Sequence, residues 1–121
     1  ELTLEDVSNI QLDTDVNVIR IKNVSSSQLA IGPQQVEILR NNARQETMEL
    51  FIDEISNTTI ELSGLRAFKK IERSGDHRQE NLAFFVNWSD CSEIEKAKEL
   101  GIMPFVSNPA ICKNGVPSFS L

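Results

Sequence analysis

Apolar and polar residues alternate along most of this chain, and the alternation predicts strands. Leu2 and Leu4 sit between polar neighbours, as in an edge strand. Val16-Asn17-Val18-Ile19-Arg20-Ile21 is β-branched and apolar nearly throughout, which favours a pleated, buried backbone. Its apolar phase flips between Val18 and Ile19, as a bulge or burial on both faces requires. Gln28 to Ile31 reads as a short strand ended by Gly32-Pro33. Val36 and Ile38 alternate, as do Met48, Leu50 and Ile52, so a hairpin turning over Asn41 to Gln45 is expected. A helix from Gln34 to Ile55 is the rival reading, with Val36, Leu39, Ala43, Leu50 and Ile55 on one partial face; the Asn41-Asn42 pair and Thr47 speak against it. Thr59 to Leu62 and the segment around Phe68 and Ile71 predict further strands, the second ending in a turn at Ser74 to His77. Leu82, Phe84, Val86 and Trp88 alternate cleanly, with Phe85 on the opposite face.

One segment changes period. Ile94, Ala97 and Leu100 form a helical stripe, continued backward by Cys91. Ser92 and Glu95 match a capping box, in which each side chain satisfies an exposed backbone donor. Gly101 is placed to end the helix in a left-handed turn. Met103, Phe105 and Val106 then predict a returning strand. Asn108-Pro109 and Asn114-Gly115 mark turns around Ile111 and Cys112. Val116 to Leu121 predicts a last edge strand, because Pro117 cannot donate to a central ladder.

Seven to nine short strands with frequent turns and one short helix near 90–100 predict a mainly β fold, an Ig-like β-sandwich. The alternative is an α+β fold, since strand, helix and strand over 82–106 also fit a βαβ crossover. No internal repeat or low-complexity block stands out. The length of 121 residues suits a single domain over 1–121. The first residues, Glu1-Leu2-Thr3-Leu4-Glu5-Asp6, are neither a signal peptide nor an initiator methionine, so the chain reads as an extracytoplasmic fragment of a longer precursor.

Cys91 and Cys112 bracket the helix, and a disulfide between them is the main chemical expectation. It would pin the helix to the C-terminal segment and place the protein in an oxidising compartment: periplasm, cell surface or secreted medium. Two cysteines and a single histidine do not make a four-ligand zinc site. The net charge of −6 disfavours nucleic acid and anionic membranes, both of which demand a basic surface. The best basic segment, Arg66, Lys69, Lys70 and Arg73, is interrupted by Glu72. No apolar run reaches the length of a membrane-spanning helix, so direct membrane insertion is not expected.

Other chemistry is thin. Phe84, Phe85, Met103 and Phe105 are candidates to line an apolar cleft between sheet and helix, and Trp88 is a candidate ligand contact at the sandwich rim. A thiolate at Cys91 with His77 as base, oriented by Asp76 or Asp90, is the remote catalytic reading. Asp13 and Asp15 with Glu5 and Asp6 supply oxygens for calcium, without EF-hand spacing. Asn23, Asn57 and Asn87 lie in N-x-S/T sequons and are glycan acceptors in a eukaryotic secretory pathway. Isolated glycines offer no phosphate loop, and no cofactor or metal is expected. The resulting expectation is a non-catalytic interaction or assembly module with protein partners, self-assembly included, working through β-sheet edges: a pilus or secretion-apparatus subunit, an adhesin or a receptor ectodomain. A periplasmic sensor binding an apolar small molecule is the second reading, and an enzyme using Cys91 the third.

Overall fold

Leu2 lies beside Ile19, Ile19 beside Leu50, and Leu50 beside Ile71. That row of stacked apolar side chains defines the architecture. The structure, a computed structural model, describes residues 1–33, 46–74 and 80–119. The strands are β1 (Leu2–Ser8), β2 (Gln11–Thr14), β3 (Val18–Ser25), β4 (Gln28–Ile31), β5 (Met48–Leu62), β6 (Phe68–Ser74) and β7 (Glu80–Val86). They are followed by one helix, α1 (Ser92–Glu99), and a hairpin of β8 (Ala110–Lys113) and β9 (Val116–Phe119). Every pairing among β1 to β7 is parallel. The first half of β5 lies between β3 and β6, and the second half between β4 and β7. The chain therefore winds as stacked coils, each with two strand-bearing sides, and the sheet curls around one core.

The Ig-like sandwich is thus incorrect. Alternation reports that one face of a strand is buried; it does not report strand direction. The polar breaks between the first strands are corners of a coil. Between Ser8 and Gln11, and between Ser25 and Gln28, the chain bends and carries on rather than doubling back. Thr59 to Leu62 is the second half of the same 15-residue strand that begins at Met48. This strand excludes the helical reading for 48–55; residues 34–45, which carry the rest of both the hairpin and the helix expectation, lie outside the described residues. The βαβ alternative over 82–106 is also corrected. Residues 103–105 form a 3₁₀ turn, and the return beside β7 is one parallel bridge, Phe84 to Val106.

A repeat is present after all. Leu2, Leu4, Val7 and Leu12 recur as Ile19, Ile21, Val24 and Leu29, and again as Leu50, Ile52, Ile55 and Ile60. From Ile19 onward these positions are buried to within 2%. The apolar spacing lengthens by one residue before Val7, Val24 and Ile55 for a backbone reason. Asp6, Asn23 and Glu54 adopt left-handed conformations (φ 55°, 54° and 57°), which turn the pleat over. A phase flip therefore lies at Asn23. A second left-handed position marks each corner: Asn9, Ser26 and Asn57, with φ 58°, 50° and 47°. Asn and Asp tolerate this region better than most side chains, which is why they recur there. At the far end of the second side, Gly32 passes so close to Ser63 in the next coil that a Cβ would sit 2.7 Å from the Ser63 carbonyl oxygen.

The corners are buried yet satisfied. Ile10 donates its backbone N–H to Ser27 Oγ (3.2 Å), and Ser27 donates its own to Thr58 Oγ1 (3.4 Å). Each hydroxyl in turn donates to a backbone carbonyl two residues earlier, at 2.8 Å. A small hydroxyl residue in one coil thus receives the corner amide of the coil before it, which leaves the Ile10 and Ser27 amides paired.

Candidate functional site at the open end of the coil stack

The two ends of the stack differ. The last coil is closed by the C-terminal segment. Val106 bridges Phe84, Ser107 donates its N–H to the Phe84 carbonyl (2.8 Å), and the Asn108 side chain imitates a strand. Its Nδ2 donates to the Val86 carbonyl (2.9 Å), and its Oδ1 accepts the Val86 N–H (3.0 Å). Ala97, Ile102 and Val106 are buried in the same core. This is what a terminal coil of a stacked-repeat protein needs: a cap that covers apolar rows and free backbone groups.

The helix is held to the last coils by a buried carboxylate. Glu93 is 1% exposed; its Oε2 accepts the Leu65 N–H (3.1 Å), and its Oε1 accepts the N–H and hydroxyl of Ser89 (2.6 and 3.0 Å). The predicted Ser92/Glu95 capping box does not form. Asp90 takes its place, its Oδ1 accepting both the N–H (2.9 Å) and the hydroxyl of Ser92. The Ser92 hydroxyl above all, helped by the Arg66 guanidinium 3.4 Å away, holds the Asp90 carboxyl below the usual aspartate range, although burial opposes them. Because the folded-state value is depressed, this contribution is present above the unfolded-state value and is lost as pH falls through the folded one. Asp90→Ala should lower stability by about 1 kcal/mol at neutral pH. Urea titrations of both proteins should show that difference disappearing in strong acid.

Among the described residues the first coil has no such cover: β1 pairs only with β3 and β2 only with β4. Leu2, Leu4, Val7 and Leu12 are only partly buried, whereas their ladder mates Ile19, Ile21, Val24 and Leu29 are closed off. The open edge thus offers two things together: a row of backbone groups that β3 does not use, and an apolar row half exposed to water. Outward from β1 stand Glu1, Thr3 and Glu5. Glu1 meets Arg20 at 2.5 Å, and Lys22 lies 3.9 Å from Glu5. The Arg20 guanidinium also stacks over Phe51 in the next coil, 4.5 Å from the ring centre, and holds the Glu1 carboxyl below its ordinary value. On the second side Gln11 donates to Gln28 (2.8 Å). An open groove of about 390 Å³ beyond it is rimmed by Asp13, Asp15, Gly32 and Glu61.

The residues singled out in the sequence fall differently. Cys91 and Cys112 form the expected disulfide, with Cα atoms 5.4 Å apart and a sequence separation of 21. Such a bond is compatible with an oxidising, extracytoplasmic setting. It ties the start of α1 to β8. With its sulfur so bonded, Cys91 presents no thiolate, and His77 and Asp76 lie outside the described residues. The apolar cleft is not assembled. Phe84 is wholly buried in the core, while Phe85 faces outward at 43% exposure. Trp88 is half-buried and donates its Nε1–H to the Asn108 carbonyl (2.8 Å), so it packs the C-terminal cap. Met103 and Phe105 lie in the 3₁₀ turn, with the Arg73 guanidinium 3.6 Å from the Phe105 ring centre.

The acidic residues considered for calcium are also dispersed. Asp6 accepts a hydrogen bond from Asn23 (2.7 Å), Glu5 faces Lys22, and Asp13 and Asp15 stand on the other side of the coil. Among the described residues no three acidic, cysteine or histidine side chains converge as a metal site would require. Asn23, Asn57 and Asn87 are all exposed, and Asn87 donates to Glu61 (2.8 Å). Among the described residues no helix is long and apolar enough to cross a membrane.

What the sequence reading missed is the first coil as a surface. Its signal was the recurrence of Leu2, Leu4, Val7 and Leu12 seventeen residues later, masked by the longer step to the third coil. Comparisons with protein-family models, with curated proteins and with solved structures find no match to this chain.

Proposed function

We propose that this protein is a non-catalytic interaction module of the extracytoplasmic space, periplasmic, surface-bound or secreted, that engages a protein partner along the open edge of its first coil. The observation that carries this reading is the difference between the two ends. One end has a dedicated cap made of α1, the Phe84–Val106 bridge, the Asn108 side chain and the disulfide-tied hairpin. The other, among the described residues, leaves the same apolar rows half exposed beside strand edges with no strand paired to them. Edge strands in natural proteins are usually blunted, and one that is not serves as a template for an added strand.

The test compares positions. A photoreactive side chain at Thr3, on the open edge, should cross-link a discrete partner in the protein's native milieu. The same group at Val116, on the exposed C-terminal hairpin, should not. Cross-linking from Val116 alone would transfer the role to the hairpin. Alkylation of the native protein with and without prior reduction checks the compartment: two alkyl groups should add only after reduction.

A further inference from the structure

The chemistry of the occupant can be read from the charge pattern of the coils, on the footing that the open edge is the interaction site. The first coil, residues 1–17, carries Glu1, Glu5, Asp6, Asp13 and Asp15 and no lysine or arginine. The second, residues 18–33, carries Arg20 and Lys22 and no acid. In β5 the residue facing Lys22 in register is acidic again, Asp53, while Arg20 faces Phe51. Sign therefore alternates over the first three coils, with Lys22 between Glu5 and Asp53 and Arg20 between Glu1 and the Phe51 ring. The first coil has a basic neighbour on one side only. Like charges directly opposite across a ladder are unfavourable, so a second copy meeting this one edge to edge would set two acidic rows against each other.

The corner chemistry narrows the occupant further. A whole added coil would turn the corner above residue 10 and present a buried backbone N–H there. In the later coils that amide is accepted by Ser27 or Thr58. In the first coil the position is Ile10, which has no acceptor. The edge accommodates a strand along β1 that stops before the corner.

We infer that the first coil binds a single extended, basic segment of a partner protein, with lysine or arginine facing Glu1 and Glu5 and apolar residues covering Leu2 and Leu4. The nearest template is the protein's own Val18-Ile19-Arg20-Ile21-Lys22, which already satisfies β1 from its other side.

A fluorescent peptide with the sequence of residues 17–26 tests this, beside the same peptide carrying R20E and K22E. The full chain should bind the basic peptide saturably and the acidic one at least about tenfold more weakly, with added salt narrowing the gap. Hydrogen exchange should slow at β1 and not at β9. Protein carrying E1K and E5K should reverse the preference; if that variant folds poorly, the comparison of peptides on the unchanged protein decides alone. Equal binding of both peptides with β1 protected overturns the basic-strand inference and leaves the edge reading intact. Binding of neither overturns the inference, while the edge reading stands or falls by cross-linking from Thr3. Protection of β9 in place of β1 overturns both. Protection of β1 that grows with protein concentration in the absence of peptide identifies a second copy as the occupant and overturns the inference.

Discussion

Phe84→Ala should lower the unfolding free energy by about 3–5 kcal/mol, the range for truncating a large buried aromatic. Phe84 is 0% exposed and ends the row formed by Leu12, Leu29 and Ile60. It also carries the only described backbone bridge between the coils and the C-terminal cap, through Val106 and Ser107. Removing the ring opens a cavity where the last coil meets its cover, and neighbouring strands cannot close it without breaking ladder register. Since small domains are stable by only about 5–15 kcal/mol, the variant should unfold at far lower urea. Phe85→Ala, one residue on, removes a side chain from the solvent face and should stay within about 0.5 kcal/mol. Urea unfolding of the two proteins reads both values. Similar losses for both would mean that Phe85 is covered, contrary to its 43% exposure.

Cleaving the Cys91–Cys112 bond should cost about 3 kcal/mol in the chain-entropy model. Its effect should be local in a way the Phe84 effect is not. The bond closes the segment containing α1 and the first hairpin strand, and Cys112 is exposed to reductant. Ile111, Val116 and Phe119 of the hairpin are 52%, 57% and 64% exposed, so little apolar burial holds β8 and β9 in place. In C91S/C112S protein, hydrogen exchange should quicken first in β8 and β9, while β3 and the first half of β5 keep their protection. A loss under about 1 kcal/mol, with the hairpin still protected, would show that Ala110 and the Trp88–Asn108 hydrogen bond hold the cap without the disulfide.

The open edge and the cap bear on each other. A stacked-coil protein gains stability from each neighbour interface, so a strand added at β1 stabilises the coils without touching the disulfide. A partner bound there should therefore raise the melting temperature of wild-type and C91S/C112S proteins alike. Among the described residues, one end of the stack is closed over the core and the other leaves β1 and β2 with one strand neighbour each.

Individual strands were legible in the sequence because each local signal is a property of neighbouring residues. Leu82, Phe84, Val86 and Trp88 alternate because one face of a strand is buried, whatever lies beside it. The Ile94–Ala97 stripe marked α1 for the same reason, and Asn114-Gly115 marked the hairpin turn, where both residues are left-handed. The disulfide was legible because only two cysteines exist to pair. The capping box was misplaced because Ser92 and Asp90 both suit a helix start, and only the course of the chain into Cys91 selects Asp90.

Strand direction was beyond local reading. Ser8-Asn9-Ile10 and Ser25-Ser26-Ser27 have the composition of hairpin turns, yet their left-handed residues bend the chain by less than a reversal. Whether it doubles back or proceeds depends on what the next strand can stack upon, and that choice is made by rows such as Leu12, Leu29, Ile60 and Phe84, whose members are far apart in sequence. The site followed from the same choice. Composition by itself determined an acidic, strand-rich, disulfide-capable domain with few aromatic contacts to offer. Only the tertiary structure decided that, among the described residues, Leu2 and Leu4 form a half-exposed row while Ile19 and Ile21 form a covered one, because exposure at a coil's end depends on how many neighbours a strand has, and no stretch of sequence carries that number.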